Sequence, residues 1–225
     1  DIALTPFPEH EAHVEAVRNE LRAVLLSELC VEPGDSGGAA IEFYLENLGA
    51  GHRFPSGSSL DRRIWVELQA FDAEGNLLFE SGVVEKGEPV VRTDDQDPQR
   101  WVIRDRALNQ AGEETHFFWD IVSVERSTLP PPTLLSPTDP AYENPHVLHP
   151  YRFGSDTPVV TVHVRVLMRP LAIELLQSLV DSGDLDPEII DRIPTFELES
   201  AALNWNAEDA IPRPSPSGRP MLCTP

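Results

Sequence analysis

The chain has 225 residues, 40% of them hydrophobic and 24% charged, and 17 Lys and Arg stand against 38 Asp and Glu for a formal net charge of −21. This mix is globular rather than disordered, and the length suffices for one sizeable core. The charge argues against nucleic acid and anionic membrane surfaces, both of which are held through Lys and Arg; the acidic surface reads first as a solubility device for a salty or extracellular setting, and a basic partner face or weak divalent-cation sites are its sharper uses.

Residues Glu9 to Leu29 predict a helix, because Val14, Val17, Leu21, Val24 and Leu25 recur at three- and four-residue spacing. Pro33 to Gly38 predicts a loop that ends it. From Ala39 the period becomes two: Ile41, Phe43 and Leu45 alternate with Glu42, Tyr44 and Glu46 in a half-buried strand. Ile64, Val66, Leu68 and Ala70 make the next one. Asp72-Ala73-Glu74-Gly75-Asn76 predicts a tight turn, and Leu77 to Val84 its returning strand. Glu85 to Gln99 reads as an acidic loop.

Trp101 to Arg104 predicts a short strand, Asn109 to Glu113 a second turn, and Thr115 to Val124 another strand. Residues 129–158 read as a long proline-rich loop, of the kind that is commonly functional or wraps a surface. Val160, Val162, Val164, Val166 and Met168 give the cleanest alternation and predict a central strand. Ile173 to Ser182 predicts a helix closed by Gly183, and Asp186-Pro187-Glu188 starts another, with Asp as its cap. Residues 211–225 read as an extended surface tail. Together these elements predict one mostly-β domain over 1–225. It is an antiparallel sandwich, immunoglobulin-like or jelly-roll-like, with a helical lead-in over 1–33 and one or two short helices near the end.

Cys30 and Cys223 are the only cysteines. They form neither Cys-x-x-Cys nor Cys-x-x-Cys-His, so this chain cannot by itself attach a c-type haem or build a four-cysteine zinc site. A disulfide between them, tying the C-terminal tail back to the end of the first helix, is the preferred reading and implies an oxidising compartment, periplasmic or extracellular; two unrelated buried thiols are the alternative. No apolar run is long enough for a membrane-spanning helix. The abrupt opening at Asp1-Ile2-Ala3-Leu4 suggests a processed product or a piece of a longer polypeptide.

Gly49-Ala50-Gly51-His52-Arg53-Phe54-Pro55-Ser56-Gly57, followed by Asp61-Arg62-Arg63, concentrates imidazole, guanidinium and carboxylate groups in one connection between strands. Loops of this type carry function more often than core segments do. His52 reads most simply as a histidine whose ring hydrogen-bonds a loop carbonyl; imidazole is also the commonest transition-metal donor, so His52 with His116 or His146 is a candidate metal set, copper first. Nothing in their spacing demands it. On strand parity His116, Phe118 and Asp120 share one face. Asp61, Arg62 and Arg63 read as ion pairs pinning the loop to the sheet. Asp181, Asp184 and Asp186 form an acidic cluster without the spacing of a calcium-binding helical loop. No nucleophile elbow, phosphate-binding glycine loop or distinct carboxylate pair is present, which favours a non-catalytic protein.

The run from Asn47 to Gly57, then Asp61-Arg62-Arg63-Ile64-Trp65, Asp72 to Asn76 and Glu80-Ser81-Gly82, resembles the haem-free β-sandwich at the C-terminal end of bacterial multihaem c-type cytochromes. The likeness extends from about Leu21 to Phe196. It implies that Ala3-Leu4-Thr5-Pro6-Phe7-Pro8 follows a haem-binding half, and that haem c is carried by a partner or by a portion beyond this chain. It further implies an accessory, non-catalytic role in an exported electron-transfer system, with His52 and Arg53 on a haem-facing loop. Such a module packs against a multihaem cytochrome chain or domain, or joins further copies in a homo-oligomer or filament. The alternative is a secreted mononuclear copper protein, with copper or calcium as its ion.

Overall fold

The computed structural model describes residues 7–34, 37–91, 97–215 and 218–225. Helix α1 (His10–Leu21) buries only Leu21 and leaves most of its surface in solvent. The chain then enters strand β1 (Leu25–Pro33), so the helix expected to reach Leu29 ends a full eight residues earlier. The cause lies in the partner strand. Leu25, Leu29 and Val31 also alternate, and β1 pairs antiparallel with β2 (Ala39–Asn47) along nine residues, from Leu25–Asn47 to Pro33–Ala39. A ladder of that length outweighs a local helical pattern.

Strand β3 (Arg63–Phe71) turns through Asp72 to Asn76 into β4 (Leu77–Ser81). The turn is built from side chain to backbone. The Asp72 carboxylate accepts the N–H groups of Glu74 and Asn76 and the Asn76 side-chain amide, which holds its pKa below the ordinary value. Gly75 sits at φ 81°. Just beyond β4, Gly82 is at φ 74°, and a Cβ there would lie 1.9 Å from the Val66 carbonyl oxygen, so no side chain fits.

β5 (Val102–Ile103) pairs with the first residues of β3, and β6 (Arg106–Leu108) pairs with β7 (Ser123–Glu125) as a small separate ribbon. The strand expected over Thr115 to Val124 is mostly absent. Phe118–Asp120 forms a 3₁₀ turn, and only the last part becomes β7. Within the proline-rich stretch, residues from His146 onward form β8 (His146–Phe153), which pairs with β2 from Ala39–Phe153 to Glu46–His146. The expected loop over 129–158 is therefore a loop only in part. Pro150 is tolerated because β8 is an edge strand.

β9 (Thr161–Arg169) lies between β3 on one side and β10 (Phe196–Glu197) and β11 (Leu203–Asn206) on the other. Helices α2 (Ile173–Asp181) and α3 (Glu188–Arg192) connect them. The Asp186 carboxylate accepts the Glu188 N–H at the start of α3, and Gly183 closes α2 at φ 81°. The tail is not a loose surface segment. It folds into a hairpin, β12 (Ile211–Pro214) and β13 (Pro220–Cys223), and β13 joins β1.

Among the described residues two large antiparallel sheets stand beside the β6–β7 ribbon, one ordered β12-β13-β1-β2-β8 and the other centred on β9-β3-β4. Their inner faces meet in one apolar core. Leu29, Ile41, Phe43 and Leu45 come from the first sheet, and Ile64, Val66, Leu68, Val162, Val164 and Val166 from the second. Residues of opposite parity face outward, as sandwich packing requires. The second sheet's outer face is itself covered: Trp65 packs with Val90 and Leu167, and the Arg169 guanidinium lies 5.2 Å from the Trp65 ring centre. Cys30 and Cys223 stand opposite each other in the β1–β13 ladder and form a disulfide, with Met221 and Tyr44 packed around it. It ties the tail to the middle of a strand, not to the end of a helix. No helix among the described residues is long and apolar enough to cross a membrane.

Candidate functional site

The loop after β2 is organised by Asn47, a fully buried side chain at the strand's last position. Its amide donates to the His52 carbonyl at 2.6 Å and the Pro130 carbonyl at 3.2 Å, while its oxygen accepts the Ala50 N–H at 3.1 Å. A buried amide with all three bonds made is a rigid hub. Phe54 and Leu129 then exchange backbone hydrogen bonds of 3.0 and 2.8 Å. Arg53 donates to the Thr128 carbonyl and forms an ion pair with Glu143. The His52 loop and the proline-rich segment are thus stitched together into one surface. Leu134 and Leu135 stand exposed on it.

The three histidines considered as ligands have different neighbours. His52 is exposed; its Nδ1 lies 2.9 Å from the Arg53 carbonyl, and its Nε2 lies 3.5 Å from the Ser56 hydroxyl. His116 Nδ1 is 2.6 Å from Asp61 Oδ1. His146 Nδ1 is 3.1 Å from Glu46 Oε2, at a cleft of about 600 Å³ that Leu26, Tyr44 and Thr224 also line. Burial and the hydrogen bond it donates to Glu42 push the Tyr44 hydroxyl up to about 12. Among the described residues no three His, Cys, Asp or Glu side chains group as a metal site.

Below the loop lies a charge network. The Arg62 guanidinium donates to the Ser56 carbonyl at 2.7 Å. Arg63 is 1% exposed and donates to Glu174 and to the Leu60 carbonyl. Asp105 accepts the hydroxyls of Ser59 and Thr128. Arg104 forms a two-bond pair with Glu114, and Arg106 pairs with Glu125. Burial alone would raise the Glu114 carboxyl's pKa, but Arg104, Arg63 and Arg106 outweigh it and hold the group below its ordinary value. All these bonds are internal, so the network fixes the loop's base to the β6–β7 ribbon.

The ribbon's connection carries the feature that sequence reading missed. Phe117 is 56% exposed, Phe118 and Trp119 are each 78% exposed, and Val122 is 65% exposed. Phe117 and Trp119 stack, with ring centres 5.0 Å apart. The expected strand would have split His116, Phe118 and Asp120 from Phe117 and Trp119. The 3₁₀ turn instead exposes all three aromatics, and His116 is drawn back to Asp61. Five large apolar residues among the six from Phe117 to Val122 were visible in the sequence as a signal. The strand assignment hid them by burying half.

No family model and no curated protein matches the chain. Among solved structures, it is similar to a penta-haem cytochrome c552 from Thermochromatium tepidum, at 14% identity and a TM-score of 0.57, over 84% of this chain. The chain spans 41% of that cytochrome's length. The fold is thus related to one found in a multihaem cytochrome.

Proposed function

We propose that this chain is a non-catalytic accessory module of an exported multihaem electron-transfer system and packs against haem-bearing protein. The observation that carries the reading is the fold shared with less than half of a penta-haem cytochrome. The two cysteines are joined to each other, which leaves no thiol for a thioether link, so haem c belongs to a partner or to a further portion. The disulfide supports a periplasmic or extracellular setting. The His52–Arg53 loop, zipped to the proline-rich segment by Phe54 and Leu129, supplies a firm surface that can face haem-bearing protein without ligating iron.

The copper alternative has weaker support, because His52, His116 and His146 each engage a separate neighbour. One preparation separates the readings. The chain is purified under native conditions from cells that mature c-type cytochromes, and haem and metal are quantified per chain. Haem in fixed ratio, on the same or an associated polypeptide, is the expected result. Stoichiometric copper that is lost in His52→Ala, without haem, overturns the proposal.

A further inference from the structure

We infer that the strip formed by Phe117, Phe118, Trp119, Val122 and Val124 is the main docking surface for a haem-bearing partner protein, one with an apolar centre and a basic rim. This rests on the accessory-module reading and adds to it which face binds and what chemistry the partner shows.

Large aromatic side chains carry about 150–250 Å² each. With the exposures given above, the strip therefore presents on the order of 500 Å² of apolar surface. That is already the size of the largest patches on typical monomers, and more than half of the ~800 Å² that one side of a standard interface contributes. The rings are also pre-set. Stacking of Phe117 on Trp119 and the bond from His116 to Asp61 fix the turn before a partner arrives, so little ordering entropy remains to be lost. The indole N–H of Trp119 has no acceptor among the described residues and is free to donate across an interface.

Position and charge select the occupant. Asp61 belongs to the His52 loop, and the chain after Val124 runs directly to Leu129, which pairs with Phe54. The strip is therefore continuous with the loop surface assigned above to the partner. A second copy of this chain would bring another net charge of −21 to the same contact, which like-charge repulsion disfavours. Arg104 and Arg106 are neutralised by Glu114 and Glu125; Asp120 makes no ion pair among the described residues, and neither does the exposed Arg126 two positions past Val124. The chain's overall net charge of −21 therefore selects a Lys- or Arg-rimmed surface.

The test places photoreactive benzoylphenylalanine at position 119, at 134 on the proline-rich segment, or at 77 on the far hairpin, in cells that mature c-type cytochromes. Adducts are resolved by denaturing electrophoresis and stained for haem. A haem-positive adduct from 119 but not from 77 is expected. With the purified complex, Phe118→Ser/Trp119→Ser should weaken binding by about 100-fold while leaving the melting temperature of the free chain unchanged. Haem-positive adducts from 134 alone would remove this face and leave the accessory reading standing. An adduct of two copies of this chain from 119, without haem, would overturn the partner assignment. Haem-negative results from both 119 and 134 would count against both.

Discussion

Glu174 on α2 accepts two hydrogen bonds from Arg63 at the start of β3, with Nε and Nη2 at 2.9 and 2.5 Å from the same Oε1. Burial and the nearby Arg104 both weaken the guanidinium's hold on its proton, and Glu174 opposes them. Removing the carboxylate strands a buried cation. Glu174→Ala should therefore cost about 3 kcal/mol, and Arg63→Met/Glu174→Leu less than that, because an apolar pair leaves no uncompensated charge. Urea denaturation of the two variants checks the order.

His149 lies flat on Trp101, with ring centres 5.1 Å apart and planes 9° from parallel, and is hydrogen-bonded to the Gln99 carbonyl. Burial lowers its pKa below the usual 6.5, against smaller opposing effects of Gln99 and Asp97. The unfolded chain therefore takes up the proton first. The stabilisation is complete above about pH 6.5 and is lost as pH falls through the folded value. His149→Phe should lower stability by about 1 kcal/mol at neutral pH through the lost hydrogen bond. It should also flatten the decline below about pH 6.5. Glu114 acts at lower pH: its folded pKa is depressed below 4.5, so its contribution is present above that value and fades beneath it. Thermal melts across pH separate the two.

Asn47→Ala should detach the His52 loop before the sheets loosen. Three hydrogen bonds to loop backbone are lost from a site closed to water, at a cost of about 2–3 kcal/mol. Hydrogen exchange should quicken first at residues 50–54 and 130–131 and later in β2. Uniform acceleration over the whole first sheet would contradict this.

Replacing both cysteines by serine, Cys30→Ser/Cys223→Ser, should cost about 2–5 kcal/mol while keeping the strand order, since the bridge closes a long loop in the unfolded chain. Denaturation with and without reductant gives the difference.

The parts of the fold most legible in sequence are those where alternation is uninterrupted and one face is fully buried. β2, β3 and β9 meet that condition, and so does the Asp72 turn, whose chemistry is local. β1 was hidden because Leu21, Val24 and Leu25 satisfy helical spacing as well, and only pairing with β2 decides between the two. β8, β12 and β13 were hidden by Pro150, Pro212, Pro214 and Pro220, which read as breakers but sit on strands at or beside a sheet edge. The cysteine pairing was legible because only one partner existed. The bond between His116 and Asp61 was not, since 55 residues separate them and no local pattern links them. Asn47 carries no chemical signal of its own in the sequence, and only its complete burial reveals that it organises the loop.

The covalent link between residues 30 and 223 has a mechanical consequence. Both residues lie on adjacent strands of one sheet, at a sequence separation of 193. Tension applied outside these two residues passes from strand to strand through sulfur and bypasses everything in between. The second sheet, the His52 loop and the aromatic strip all lie inside that shielded span. A pull that frays α1 would leave the Phe117–Trp119 turn unstretched.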